Sequence, residues 1–175
     1  MQEFFTLLAL LTGGGFFLYS KQAGAAFPTE SQPAAQFSQT DVDTLARTIW
    51  GEARGEGYEG MKAVANVVLN RYAQAQKSTA KARQFGSTIH EICTKKYQFS
   101  AWLVNDPNYA KLVTVTRADP QFNTAYQIAQ DALAGRITDN TRGADHYHTT
   151  AITASWSRGK QPVKQIGSHL FYDLA

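Results

Sequence analysis

A mainly α-helical domain with a minor β component is the fold class this sequence predicts, and three observations carry it. Apolar residues recur at helical spacing over Val42–Trp50, over Met61–Leu69 and over Phe122–Leu133. Beyond Asp139 that spacing gives way to an irregular stretch rich in aromatic and histidine residues, with one alternating run at His146, His148 and Thr150 that fits a short strand. No βαβ series and no internal repeat is evident.

The chain opens with Phe4–Tyr19, an uncharged and almost wholly apolar run that predicts a single N-terminal hydrophobic helix. Sixteen helical residues span about 24 Å, a little short of the roughly 30 Å hydrocarbon core. Extension through Ser20–Phe27 supplies the missing length. An uncleaved membrane anchor over residues 1–23 is the favoured reading. A signal segment cleaved near Ala23–Ala26, which would release a secreted protein, is the competing one, and a buried hairpin or oligomer contact is a third. Lys21 alone does not decide which way an anchor would point. Residues 24–40 shift to Ala, Pro, Gln, Ser and Thr and read as a flexible linker.

Residues 41–175 then form one compact domain, large enough for a real interior. Thr40 with Asp43 three positions on resembles a helix cap. The second stripe ends near Tyr72, and the polar stretch Gln74–Gln84 reads as a loop. Asp106-Pro107 and Asp119-Pro120 each look like a cap followed by proline at the first helical position, and Gly135 is a natural stop after Leu133.

Composition removes several functions. A net charge of +3 with only one adjacent basic pair, Lys95-Lys96, lacks the dense stripe expected for nucleic-acid binding. The single cysteine, Cys93, permits no internal disulfide and sits in no activation motif. His146, His148 and His169 are a weak zinc set, because neither HExxH nor a cysteine cluster accompanies them. No metal and no cofactor is expected. No GxSxG run points to a serine nucleophile.

The stretch "GEARGEGYEG", residues 51–60, carries the chemistry. Glu52 directly follows the first helical stripe and precedes three glycines, so its carboxyl can be held rigidly while staying accessible, as a general acid requires. Glu56 would share a face with Glu52 at about 5–6 Å if the helix persisted; the glycines argue against that, and Glu56 has a structural alternative as a loop anchor. Glu59 fits the start of the next helix, where a negative charge is favoured. Tyr97, Gln98, Phe99, Ser100 and Trp102 mix flat rings with amide and hydroxyl groups, a composition that suits either a core or a sugar-binding wall. Tyr147 and Trp156 carry the same ambiguity.

The strings "ARTIWGEARGEGYEGMKAVANVVLNR" (residues 46–71), "YQFSAW", "GADHYHTT" and "VKQIGSHLFY" (residues 163–172) together resemble the SleB-like cell-wall hydrolase family. The resemblance implies a lysozyme-like, mainly helical catalytic domain acting on peptidoglycan without a cofactor. It implies that Glu52 is the essential acid, with Glu56 in a supporting position. It also implies that Tyr97, Gln98, Phe99, Ser100, Trp102, Tyr147 and His148 fall in segments lining the substrate groove. The reaction so implied is lytic transglycosylation: cleavage of the MurNAc–GlcNAc bond with formation of a 1,6-anhydro-MurNAc end. A lysozyme-type hydrolase with water positioned by Glu56 or Asp145, a zinc N-acetylmuramoyl-L-alanine amidase and a noncatalytic wall-binding protein are the alternatives. The expected setting is a monomeric catalytic domain facing peptidoglycan at the cell envelope, held by the N-terminal segment, in a bacterium or on a phage virion membrane.

Overall fold

The structure is a computed structural model and describes residues 36–175. The N-terminal hydrophobic segment and most of the linker lie outside the described residues. Helix α1 (Gln39–Ala53) begins on a reciprocal cap: Asp41 N donates to Ser38 Oγ at 3.1 Å, and Ser38 N donates to Asp41 Oδ2 at 2.9 Å. The cap is therefore Ser38 rather than Thr40. Asp43, the partner expected for Thr40, instead takes the Arg47 guanidinium at 2.7 Å. Folded structure thus starts inside the stretch read as linker.

Helix α2 (Gly57–Lys77) follows a three-residue break, with Gly57 at φ +67°. The region Gln74–Gln84 is not a loop. Helix α2 runs to Lys77, and Ser78, extended at φ −147°, ends it and caps α3 (Thr79–Phe85). Two causes override the polar composition: Ala, Lys, Arg and Gln are good helix formers, and Phe85 is fully buried at the end of the segment.

Thr88 caps α4 (Ile89–Thr94). A single 3-10 turn follows at Ser100–Trp102. Asp106-Pro107 starts no helix, because the Asp106 carboxylate is used by Asn108 N in a local turn, and α5 spans Tyr109–Thr114. Asp119-Pro120 does open α6 (Pro120–Leu133), Asp119 accepting from Phe122 N at 2.9 Å. Gly135 closes it at φ +69°.

Three short strands, β1 (His146–Thr149), β2 (Lys164–Ile166) and β3 (His169–Tyr172), form an antiparallel sheet in the order β1-β3-β2, which leaves β1 with a free edge. The main core joins α1, α2, α4 and α6 around Leu45, Ile49, Val64, Ile92, Phe122 and Ile128. A smaller cluster, Ala63, Val67, Ala144 and Phe171, fastens the sheet to α2. Tyr147 packs against both clusters, so the helical body and the sheet meet at its ring. Among the described residues, no helix is long and apolar enough to cross a membrane.

Candidate active site

Glu52 lies in the last turn of α1, half-exposed, with its carboxylate reached from two other segments. Ala101 N donates to Oε1 at 3.0 Å, Ser100 Oγ donates to Oε1 at 3.3 Å, and the Tyr147 hydroxyl donates to Oε2 at 2.9 Å. Gly51 makes the first contact possible. A Cβ at position 51 would stand 2.5 Å from Ala101 Cβ and 2.9 Å from Leu112 Cδ1, too close for either. Burial pushes the Tyr147 phenol well above its usual pKa, and the Glu52 charge and hydrogen bond push the same way, so the phenol stays a donor.

A cavity of about 660 Å³ opens over this carboxylate. Of the residues the family resemblance implied for the site, Glu52, Tyr97, Gln98, Ser100, Tyr147 and His148 line it. Tyr97 is 75% exposed and adopts a left-handed backbone at φ 69°, which swings its ring out at the rim. The same turn sends Phe99 inward. It is 2% exposed, packs in the core and does not line the cavity. Trp102 is likewise off the wall: its ring packs on the core and its Nε1 donates to Thr48 Oγ1 at 2.9 Å. Both residues support the cleft from behind.

Glu56 is not on the cavity wall either. Helix α1 stops at Ala53, so the continuous face that would have paired it with Glu52 does not exist. Its carboxylate instead accepts Ser168 Oγ at 2.6 Å and Ser168 N at 2.8 Å. These two bonds hold it below its usual pKa against the opposing effect of burial, with His169 adding a small favourable charge. A side chain at Gly167, where φ is +55°, would overlap the Glu56 carboxylate. Glu56 therefore fastens the β2–β3 turn to the start of α2.

Asp145, the other group considered for positioning water, is fully buried and absent from the wall. The three histidines considered for zinc do not converge. His146 and His148 alternate with Tyr147 along β1, whereas His169 pairs with Thr149 and stands edge-on to Tyr147 at 5.1 Å, on the sheet's opposite face. His148 is committed to Thr149 O at 2.9 Å and Ser157 Oγ at 3.0 Å. Cys93 is buried, and burial pushes its thiol up to about 12, leaving it inert.

Sequence reasoning missed several wall residues. Arg71, on α2, is 4% exposed and sandwiched between the Phe85 and Phe99 rings at 5.1 and 4.9 Å, with Nε donating to Asp145 O at 2.7 Å. Burial lowers its pKa, and Tyr147, Asp145 and Glu52 oppose that. Asn108 also lines the cavity, as do Trp156, which the sequence left between core and wall, and His146 and His169, which it raised only as zinc ligands. An arginine inside an otherwise apolar helical stripe was the available signal for Arg71. Asn108 comes from a turn with no local marker.

Residues 55–172 match the cell wall hydrolase family, a match that begins three positions after Glu52. The spore cortex-lytic enzyme of Oceanobacillus iheyensis is 29% identical over 170 residues, covering 91% of this chain and 50% of that protein. That of Bacillus cereus is 31% identical over 136 residues, covering 77% and 45%. The chain thus spans half or less of the length of these curated relatives. Two solved structures match at 29% identity. The catalytic domain of the Bacillus cereus SleB protein gives a TM-score of 0.60, covering 78% of this chain and 92% of that one. The catalytic domain of the germination-specific lytic transglycosylase SleB from Bacillus anthracis gives 0.61, covering 81% and 100%.

Proposed function

The chain belongs to the cell wall hydrolase family, and from that premise we propose that it is a peptidoglycan lytic transglycosylase with Glu52 as its general acid. One observation carries the reading: a single carboxylate, Glu52, is held on the cleft wall by three donors, while Glu56 is tied off at Ser168. A retaining hydrolase uses two carboxylates about 5–5.5 Å apart, and an inverting one needs a second carboxylate to activate water. Among the described residues the wall offers Glu52 and Asp106 as its only carboxylates. Asp106 accepts one local bond, from Asn108 N, and is not fixed from other segments of the chain as Glu52 is. Internal attack by a sugar hydroxyl needs no second carboxylate, which favours the anhydro product.

In the reaction, Glu52 protonates the oxygen between MurNAc and GlcNAc as the C1–O bond breaks. The Tyr147 hydroxyl and the Ala101 amide then stabilise the carboxylate left behind. The MurNAc C6 hydroxyl attacks C1, and in the simplest cycle Glu52 takes its proton. Tyr97, at the rim, is the flat surface for a sugar face, and Gln98, Ser100 and His148 line the groove beside it. Strand β1, at the edge of the sheet, borders the same cavity. Phe99 and Trp102 act through packing. The apolar run at residues 4–19 supports anchoring of the domain at a membrane next to its polymeric substrate.

Digestion of purified peptidoglycan by the full chain, with mass analysis of the products, tests the reading. Anhydro-muropeptides support it. Reducing muropeptides point to hydrolysis, free stem peptides to an amidase, and an undigested wall to a binding protein.

A further inference from the structure

Asn108 stands just ahead of α5, where an asparagine side chain commonly bonds back to the first turn of its helix. Here it makes no such bond. Its carboxamide is taken instead by Arg54, at the end of α1, whose Nη2 donates to Asn108 Oδ1 at 2.8 Å. A guanidinium has five donors and no acceptor, so the atom facing it is the amide oxygen and the NH2 group occupies the other branch. Among the described residues Nδ2 meets no acceptor, and it is not a sealed buried atom. Asn108 lines the same cavity as Glu52.

This carboxamide is tied to the Glu52 end of α1. Arg54 Nη1 donates at 3.2 Å to the carbonyl of Gly51, one residue before Glu52. Carbonyls in the last turn of a helix lack an intrahelical partner, so the bond satisfies one of them and holds the guanidinium in place. The buried Trp50 ring supports the same group, with Arg54 Cζ 4.5 Å from its centroid. The backbone of Asn108 is fixed separately: its N donates to Asp106 Oδ1 at 2.8 Å, and its carbonyl accepts from Leu112 N at 2.8 Å. Two bonds therefore connect the free NH2 group to the residue beside Glu52.

An NH2 group only donates, so its ligand is an acceptor, and an amide carbonyl is a stronger one than a sugar hydroxyl. Every sugar of a peptidoglycan strand carries such a carbonyl on its C2 acetamido group, next to the C1 carbon whose bond Glu52 breaks. A lactyl amide is present only where a stem peptide remains. We propose that Asn108, oriented by Arg54, is a specificity-determining residue of the cleft, its Nδ2 donating to the acetamido carbonyl of the sugar bound beside Glu52. This rests on the glycan-cleaving reading and leaves Glu52 its role.

Asn108→Asp and Asn108→Ala separate recognition from tethering. Aspartate keeps the shape and the bond to Arg54 but turns an acceptor toward the cavity. Alanine removes the donor without adding charge. The full chain and both variants are compared by steady-state cleavage of soluble glycan strands, fully N-acetylated or partly N-deacetylated, each with and without stem peptides. Thermal melts check folding. On N-acetylated strands kcat/KM is expected to fall about tenfold in both variants, the size of one lost hydrogen bond. The preference for N-acetylated over N-deacetylated strands should shrink by a similar factor, with or without stem peptides, while the melting temperature of N108D does not fall. An N108D kcat/KM within about twofold of the unaltered protein overturns the proposal and leaves Asn108 as a tether. A loss confined to N108D belongs to the added charge, an equal loss on both kinds of strand to displacement of Glu52, and a loss seen only with stem peptides to the lactyl amide; each overturns it as well. If the unaltered protein breaks no glycosidic bond, the reading of the cleft fails and this proposal with it. If it does and the variants keep its preference, only the present proposal falls.

Discussion

Tyr147 and Glu52 lie 95 positions apart in the chain and meet through a 2.9 Å hydrogen bond, the phenol of a sheet edge donating to the carboxylate of a helix end. That bond joins the two walls of the cleft. The phenol's pKa is raised, so it remains a donor across the physiological range.

Replacing Glu52 by Gln keeps the shape and removes the proton. We expect E52Q to fold with an unchanged far-UV spectrum and to lose about 10²–10⁴-fold in turnover, measured as release of soluble muropeptides. Near-normal turnover by folded E52Q would remove Glu52 from the chemistry.

The Tyr147 contact is tested by Tyr147→Phe, which deletes one hydroxyl and keeps the ring between the two cores. A hydrogen bond to a charged group contributes about 1.5–3 kcal/mol, so kcat should fall about 10- to 100-fold. KM and the melting temperature should move little.

Glu56 answers to a different measurement. We expect Glu56→Gln to lower the melting temperature, with a loss of about 1–3 kcal/mol for weakened bonds to Ser168. The activity of the folded fraction should be nearly unchanged. The folded carboxyl titrates below its unfolded value of about 4.5, so its stabilising contribution is complete above pH 4.5 and fades as the pH drops through the folded value. The stability gap between the two proteins, followed by thermal melts from pH 7 to pH 3, should therefore close on acidification. A comparable loss of turnover at neutral pH would restore Glu56 to the reaction.

Gly51→Ala forces the last turn of α1 away from Ala101 and Leu112. The expected outcome is a destabilisation of about 1–3 kcal/mol from overpacking. The accompanying drop in kcat should exceed that of surface controls, because the Ala101 amide no longer reaches Glu52.

How much of this was readable in advance varied with distance along the chain. The α1, α2 and α6 stripes and the position of Glu52 at a helix end are local facts, written in spacing and in the glycines after residue 52. Phe99 and Tyr97 were not separable, because a left-handed residue at position 97 decides which ring turns out, and nothing in Tyr-Gln-Phe marks that turn. Helix α3 was missed because its polar composition hides good helix formers and one buried anchor, Phe85. Arg71 joins the wall, and Tyr147 meets Glu52, only when the sheet docks on α2, a long-range event with no periodic trace.

The order in which the parts of the cleft are synthesised has a cost-free benefit. A ribosome that has just emitted Glu52 must add 95 more residues before the phenol that steadies it exists, and the turn clasped by Glu56 comes later still. Unfinished or C-terminally clipped chains can thus be helical and yet lack a completed cleft.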